Sequence, residues 1–154
     1  MAIARIFTCV GLAALVGCAT EKGASSQPLT FNVPLTKEAC PGAGPNATGA
    51  ATVTIAADSS SLTATVTYSG LSGEPTASHI HFGPSGSAGP VVLPFSGPLT
   101  SPFSKTFTPA DYVAANGAPP DFAAFVVAVR AGGVAYVNVH TAACKPGEIR
   151  GEIQ

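Results

Sequence analysis

The sequence predicts a mainly β protein: a single antiparallel, Greek-key-like sandwich or barrel of about eight strands with one or two short helices. Three observations carry that reading. Short runs alternate apolar and polar residues, the side-chain period of a strand with one buried face. Turn-forming residues break these runs at short intervals, and the 17 glycines and 14 prolines of the 154-residue chain supply them. Only two stretches carry helix signals.

The chain begins with residues that do not belong to this fold. Arg5 precedes an apolar run over residues 6–16 that ends in Leu15-Val16-Gly17-Cys18. A positive start, an apolar segment too short to span a bilayer and small residues at the cut make residues 1–17 a cleaved secretory signal. The same tetrapeptide fits the lipobox of bacterial lipoproteins, in which the cysteine, here Cys18, becomes the lipidated first residue. Several acyl chains on one residue anchor a protein stably, where a single chain does not. Ala19 is not the aspartate that retains many such lipoproteins at the inner membrane, so in a Gram-negative cell envelope an outer-membrane place is expected over an inner-membrane one. Residues 18–28 then comprise the lipidated cysteine and a small, polar, flexible tether. Residues 29–154 form the domain.

Within the domain, Leu29, Phe31, Val33 and Leu35 alternate with polar residues, and Pro34 argues for an edge strand. Residues 50–57 and 62–69 read as a hairpin turning at Asp58-Ser59-Ser60-Ser61. A strand around His79 follows. The glycine- and proline-rich run over residues 83–90 lacks the lysine and the helix of a phosphate-cradling loop and reads as a turn. Residues 91–95 and 103–107 give two more strands. Thr108-Pro109 starts a helix of about two turns that stops at Gly117. Asp121 caps a second helix, with Phe122, Phe125, Val126 and Val129 at helical spacing before Gly132-Gly133. Residues 134–141 and 148–154 are the last strands.

Without the leader the chain keeps 137 residues, and without Arg5 it has six basic and eight acidic side chains, a net charge of −2. That balance gives no footprint for nucleic acid and no polybasic membrane surface. The expected partners are the membrane, through the lipid, and an extracytoplasmic ligand of unknown identity. Cys9 leaves with the leader and Cys18 takes the lipid, so Cys40 and Cys144 remain. In an oxidising compartment they most simply form one disulfide; two free thiols or metal ligands are the rival reading.

Three strands present polar rows. His79 and His81 share one face of the first; Tyr136, Asn138 and His140 share a face of the second; Glu148, Arg150 and Glu152 share a face of the last. All three histidines of the chain lie in these rows. One reading is a buried hydrogen-bond network that fixes strand register, with Arg150 pairing to Glu148 or Glu152 or reaching the Asn138 amide and an imidazole. The other is a copper or zinc site formed by His79, His81 and His140, with an open position for water or substrate. Hydrolytic chemistry is poorly supplied. The chain has no Gly-x-Ser-x-Gly elbow, and Ser78 points to the opposite side of its strand from His79.

The segments Ser78-His79-Ile80-His81-Phe82-Gly83-Pro84, Tyr136-Val137-Asn138-Val139-His140-Thr141 and Pro146-Gly147-Glu148-Ile149-Arg150-Gly151 closely resemble the CHRD domain, named after chordin and found in many bacterial secreted proteins and lipoproteins. The resemblance covers residues 29–154. It implies a β-rich extracytoplasmic domain without known catalysis, acting by binding or as structure; no cofactor is expected beyond the copper or zinc of the alternative reading. Cys144, between the last two motifs, departs from the commoner pattern; paired with Cys40 it would pin the first loop to the last turn.

Overall fold

In a computed structural model, which describes residues 27–154, alternating side chains build a nearly closed antiparallel β-barrel. The leader, Cys18 and most of the tether lie outside the described residues. The strands are β1 (Leu29–Lys37), β2 (Thr48–Ile55), β3 (Leu62–Ser69), β4 (Pro75–Phe82), β5 (Val91–Pro94), β6 (Phe103–Phe107), β7 (Ala135–Thr141) and β8 (Ile149–Glu152). Their order in the sheet is β5-β4-β7-β8-β1-β2-β3-β6. Every neighbouring pair runs antiparallel. The two sheet edges approach each other: Phe95, just after β5, packs at 5.1 Å from both Phe103 and Phe107. Lys105 of β6 donates to the Pro94 carbonyl across the same gap at 3.2 Å.

The alternation predicted for β1 to β3 sets the core. Val33 and Leu35 of β1, Val53 and Ile55 of β2, and Leu62 and Val66 of β3 are all buried, while the polar residues between them face outward. Ile80, Leu93, Val137, Val139 and Ile149 complete the barrel interior. Each such side chain contributes about 1.5–3 kcal/mol on leaving water. Among the described residues a single α-helix, α1 (Phe122–Ala131), lies against this core. The Asp121 carboxylate accepts from the Ala124 amide at 2.8 Å to start it, and Gly132 at φ 87° ends it. Phe122, Phe125, Val126 and Val129 are buried at helical spacing, so periodicity outweighs the strand preference of the β-branched residues here.

Two expectations fail. Pro34 does not mark an edge: β1 lies inside the sheet, between β2 and β8. The proline is tolerated because β8 is short and pairs with β1 only at Thr36↔Arg150 and Lys37↔Ile149, leaving Pro34 outside the ladder on that side. The helix foreseen after Thr108 is one 3₁₀ turn, Pro109–Asp111. Asp111 accepts from the Thr108 amide and hydroxyl, as a helix start would have it. The chain then turns extended at Tyr112, and the Val113 amide bonds the Val92 carbonyl at 2.9 Å, tying this segment to β5 instead of a second turn.

Candidate functional site

Strand β7 is buried along its whole length, because β4 and β8 flank it and loops cover its polar side. Its valines face the core. The register lines up the outer face in rows: His81 opposite Tyr136 opposite Glu152, and His79 opposite Asn138 opposite Arg150, with His140 one step further along, opposite Ala77. Directly opposed and diagonal side chains in such an array are within reach of each other.

At one end the Tyr136 ring stacks against two neighbours. The His81 imidazole lies parallel to it, 7° between planes and 4.7 Å between centroids, and the Arg150 guanidinium carbon sits 3.3 Å from its centroid. His81 comes from the β4 side and Arg150 from the β8 side. Arg150 also donates to Glu152 at 2.9 Å and to the Ser87 carbonyl at 2.9 Å. The His81 Nδ1 meets the Gly89 carbonyl at 2.9 Å, and the Gly89 amide donates to the Tyr136 hydroxyl at 3.0 Å. The run over residues 83–90 is therefore more than a turn: it folds back over the polar row and holds His81, Tyr136, Arg150 and Glu152 through backbone groups. Only glycine fits at position 89, where a Cβ would collide with the Phe82 carbonyl.

The three histidines converge. His79 Nδ1 and His140 Nε2 are 3.0 Å apart, and His140 Nδ1 lies 2.8 Å from the Lys145 carbonyl. A carbonyl only accepts, so His140 Nδ1 carries a proton and its Nε2 is the nitrogen left facing His79. His81 Nδ1 is likewise a donor, to Gly89, and its Nε2 is buried with no partner. One ring nitrogen from each of the three lies within 4.8 Å of the others. Burial, then the positive charge that His140 and His81 would carry, lowers the His79 pKa to about 4. Burial also lowers that of His81, against the Gly89 hydrogen bond and with help from His140 and Arg150. Ser78, next to His79, turns the other way and donates to the Asn138 carbonyl at 2.9 Å, so no hydroxyl–imidazole pair forms there.

Two residues foreseen in this network are elsewhere. Glu148 is not a partner of Arg150. It precedes β8, is fully buried, and accepts from the Gly44 amide at 2.8 Å, the Ser72 amide and hydroxyl at 2.6 Å each, and the Thr141 hydroxyl. These donors outweigh burial and leave its carboxyl pKa below the usual value. The Asn138 amide packs against Gly147, whose φ of 134° and missing Cβ leave room for it. It reaches neither Arg150 nor an imidazole, and its Oδ1 is unpartnered. Cys40 and Cys144 are joined, their Cα atoms 5.9 Å apart and 104 residues apart in sequence, beside the Glu148 cluster. Gly44, Ser72, Gly89 and Lys145 were not legible as site residues, since three of them act through backbone groups that every residue type possesses. A cleft of about 450 Å³ opens where β1 and β8 part company; Arg150 and Glu152 line it, and no histidine does.

The family model of the CHRD domain matches residues 31–153. The chain belongs to the CHRD domain family. The match spans the barrel from within β1 to past β8, and with it all the rows described above. CHRD domains are of a non-enzymatic, binding type, and the eight-stranded barrel accords with the fold expected from the sequence. No curated protein and no solved structure matches the chain.

Proposed function

We propose that this CHRD domain is an extracytoplasmic binding module held at the envelope membrane by a lipid on Cys18, and that it performs no catalysis. The observation that carries the reading is the Cys40–Cys144 bond. The two cysteines left over once leader and lipid are accounted for are brought together from opposite ends of the domain, and such bonds persist in exported proteins. The leader and the Leu15-Val16-Gly17-Cys18 lipobox point to the same compartment. No helix among the described residues is long and apolar enough to cross a membrane. A domain cross-linked between its first loop and its last turn offers a rigid surface, which lowers the ordering cost of binding.

Metabolic labelling with a radioactive fatty acid tests the anchor. The native chain is expected to take up label and partition with membranes, and Cys18→Ser to lose both; a Cys18→Ser protein that stays membrane-bound refutes it. Mass spectrometry of unreduced protein is expected to find Cys40 and Cys144 in one linked peptide pair. Alkylation of both without reductant counts against an oxidising compartment.

A further inference from the structure

We infer that His79, His81 and His140 form a three-histidine binding site for a first-row transition-metal ion, tightest for copper(II). The inference goes beyond the binding module proposed above and is independent of how the domain is anchored.

The arrangement differs from a self-satisfied imidazole cluster in one respect. In such a cluster each ring nitrogen would find a partner in its neighbours or the backbone. Here the backbone takes one nitrogen of His81 and one of His140, both as Nδ1 donors to carbonyls of Gly89 and Lys145. Metal-ligating histidines are oriented in the same way: the nitrogen that does not bind metal donates to a carbonyl or carboxylate, fixing tautomer and ring direction. What remains on His81 is an Nε2 lone pair, buried and without a partner on a side chain only 8% exposed. Leaving such a group unpaired is costly, and an ion among the rings would satisfy it.

The spacing suits an ion. Ligands about 2.0–2.1 Å from a tetrahedral centre are roughly 3.3 Å from each other. His79 Nδ1 and His140 Nε2 are already at 3.0 Å, and one nitrogen from each of the three rings lies within 4.8 Å of the others, so small side-chain rotations close the set. Binding exchanges the shared His79–His140 proton for the metal. That proton moves from Nδ1 to Nε2 of His79, leaving three neutral imidazole ligands. His79 is the half-exposed member, which leaves a side open for a water or other small fourth ligand.

The donor set selects the class of metal. The cluster holds no carboxylate and no thiolate, both remaining cysteines being tied up in the disulfide. An all-imidazole set is a poor host for calcium or magnesium, which want oxygen. It suits copper and zinc, and at a fixed site copper(II) binds more tightly than zinc(II).

The test uses the untagged mature lipoprotein in detergent, stripped of metal and titrated with copper(II) or zinc(II) salts by calorimetry, with electron paramagnetic resonance on the copper form. One equivalent of copper(II) is expected to bind, with nitrogen hyperfine structure from three imidazoles, and zinc(II) to compete more weakly. His79→Ala, which leaves the Gly89 and Lys145 bonds in place, is expected to weaken copper binding by at least about 100-fold, the upper end of what losing a mere orienting partner costs. It should also remove one nitrogen from the spectrum. Sub-stoichiometric binding, or a wild-type spectrum without three nitrogens, overturns the site whether or not the variant folds. Copper affinity unchanged in a folded His79→Ala protein overturns it too, by placing the ion elsewhere.

Discussion

Two polar clusters each take a member from strand β7, Thr141 in one and His140 in the other, and they are built to opposite standards. Around Glu148 every carboxylate oxygen accepts two hydrogen bonds, from three separate stretches of chain, with the Cys40–Cys144 bond alongside. Around the histidines and Arg150 the accounting does not close: His81 Nε2, Asn138 Oδ1 and Glu152 Oε2 are buried and lack partners, and all three belong to the β4–β7–β8 row. A buried carboxylate satisfied by neutral donors from three segments is a joint between them. Buried polar atoms without protein partners, gathered in one row, leave hydrogen-bonding or ligating capacity that the protein itself does not use.

Breaking the joint should show the larger effects. Cys40→Ser, or reduction of the bond, releases a loop of about a hundred residues and should cost roughly 4–5 kcal/mol on the chain-entropy account, read as a fall in the midpoint of urea unfolding. Glu148→Ala strands the buried Gly44 amide, takes the acceptor from Ser72 and Thr141, and should cost about 3 kcal/mol in the same assay. Glu148 also has a pH signature. Its carboxyl pKa is lowered in the fold, so its stabilisation is present above the unfolded value near 4.5 and is lost as pH falls through the lower folded value. Stability should therefore drop on acidification below that point, and a Glu148→Gln chain should show a shallower acid limb in melts taken across pH. His140→Ala removes two hydrogen bonds from the other cluster, and for the metal-free protein a loss of about 1–2 kcal/mol is expected in denaturant melts. His79→Ala should be the mildest, within about 0.5–1 kcal/mol of wild type without metal, because its side chain is half exposed. If His79→Ala proved as damaging to the metal-free fold as Glu148→Ala, the contrast between the two clusters would be lost.

The barrel could be read from the sequence because its strands alternate cleanly. Val33, Leu35, Val53, Ile55, Leu62 and Val66 occupy the inward positions their spacing assigns. What the pattern hid was length and context. Pro34 looks like an edge residue until one sees that β8 is too short to need its amide. Thr108-Pro109 looks like a helix start until the Val113 amide is claimed by β5. The polar rows were legible for the same reason as the core: period two places His79 with His81, and Tyr136 with Asn138 and His140. Glu148 was misplaced by one position, since the ladder with β7 begins at Ile149 and the preceding residue turns into the loops. The carbonyls of Gly89 and Lys145 left no trace, because nothing in a side-chain alphabet marks which backbone oxygen will orient an imidazole.

The Cys40–Cys144 bond also shapes how the domain would bear load. Were the N-terminal tether held at a membrane and the barrel held by a ligand, as proposed, tension would enter at Leu29 and run along β1. It meets a covalent cross-link three residues after that strand ends. The chain between the two cysteines, which are 104 positions apart, cannot be drawn out between those points. Pulling on the tether alone can peel β1 and little more, so β4 and all of β7 stay inside the closed covalent loop, and the three histidines they carry stay with them.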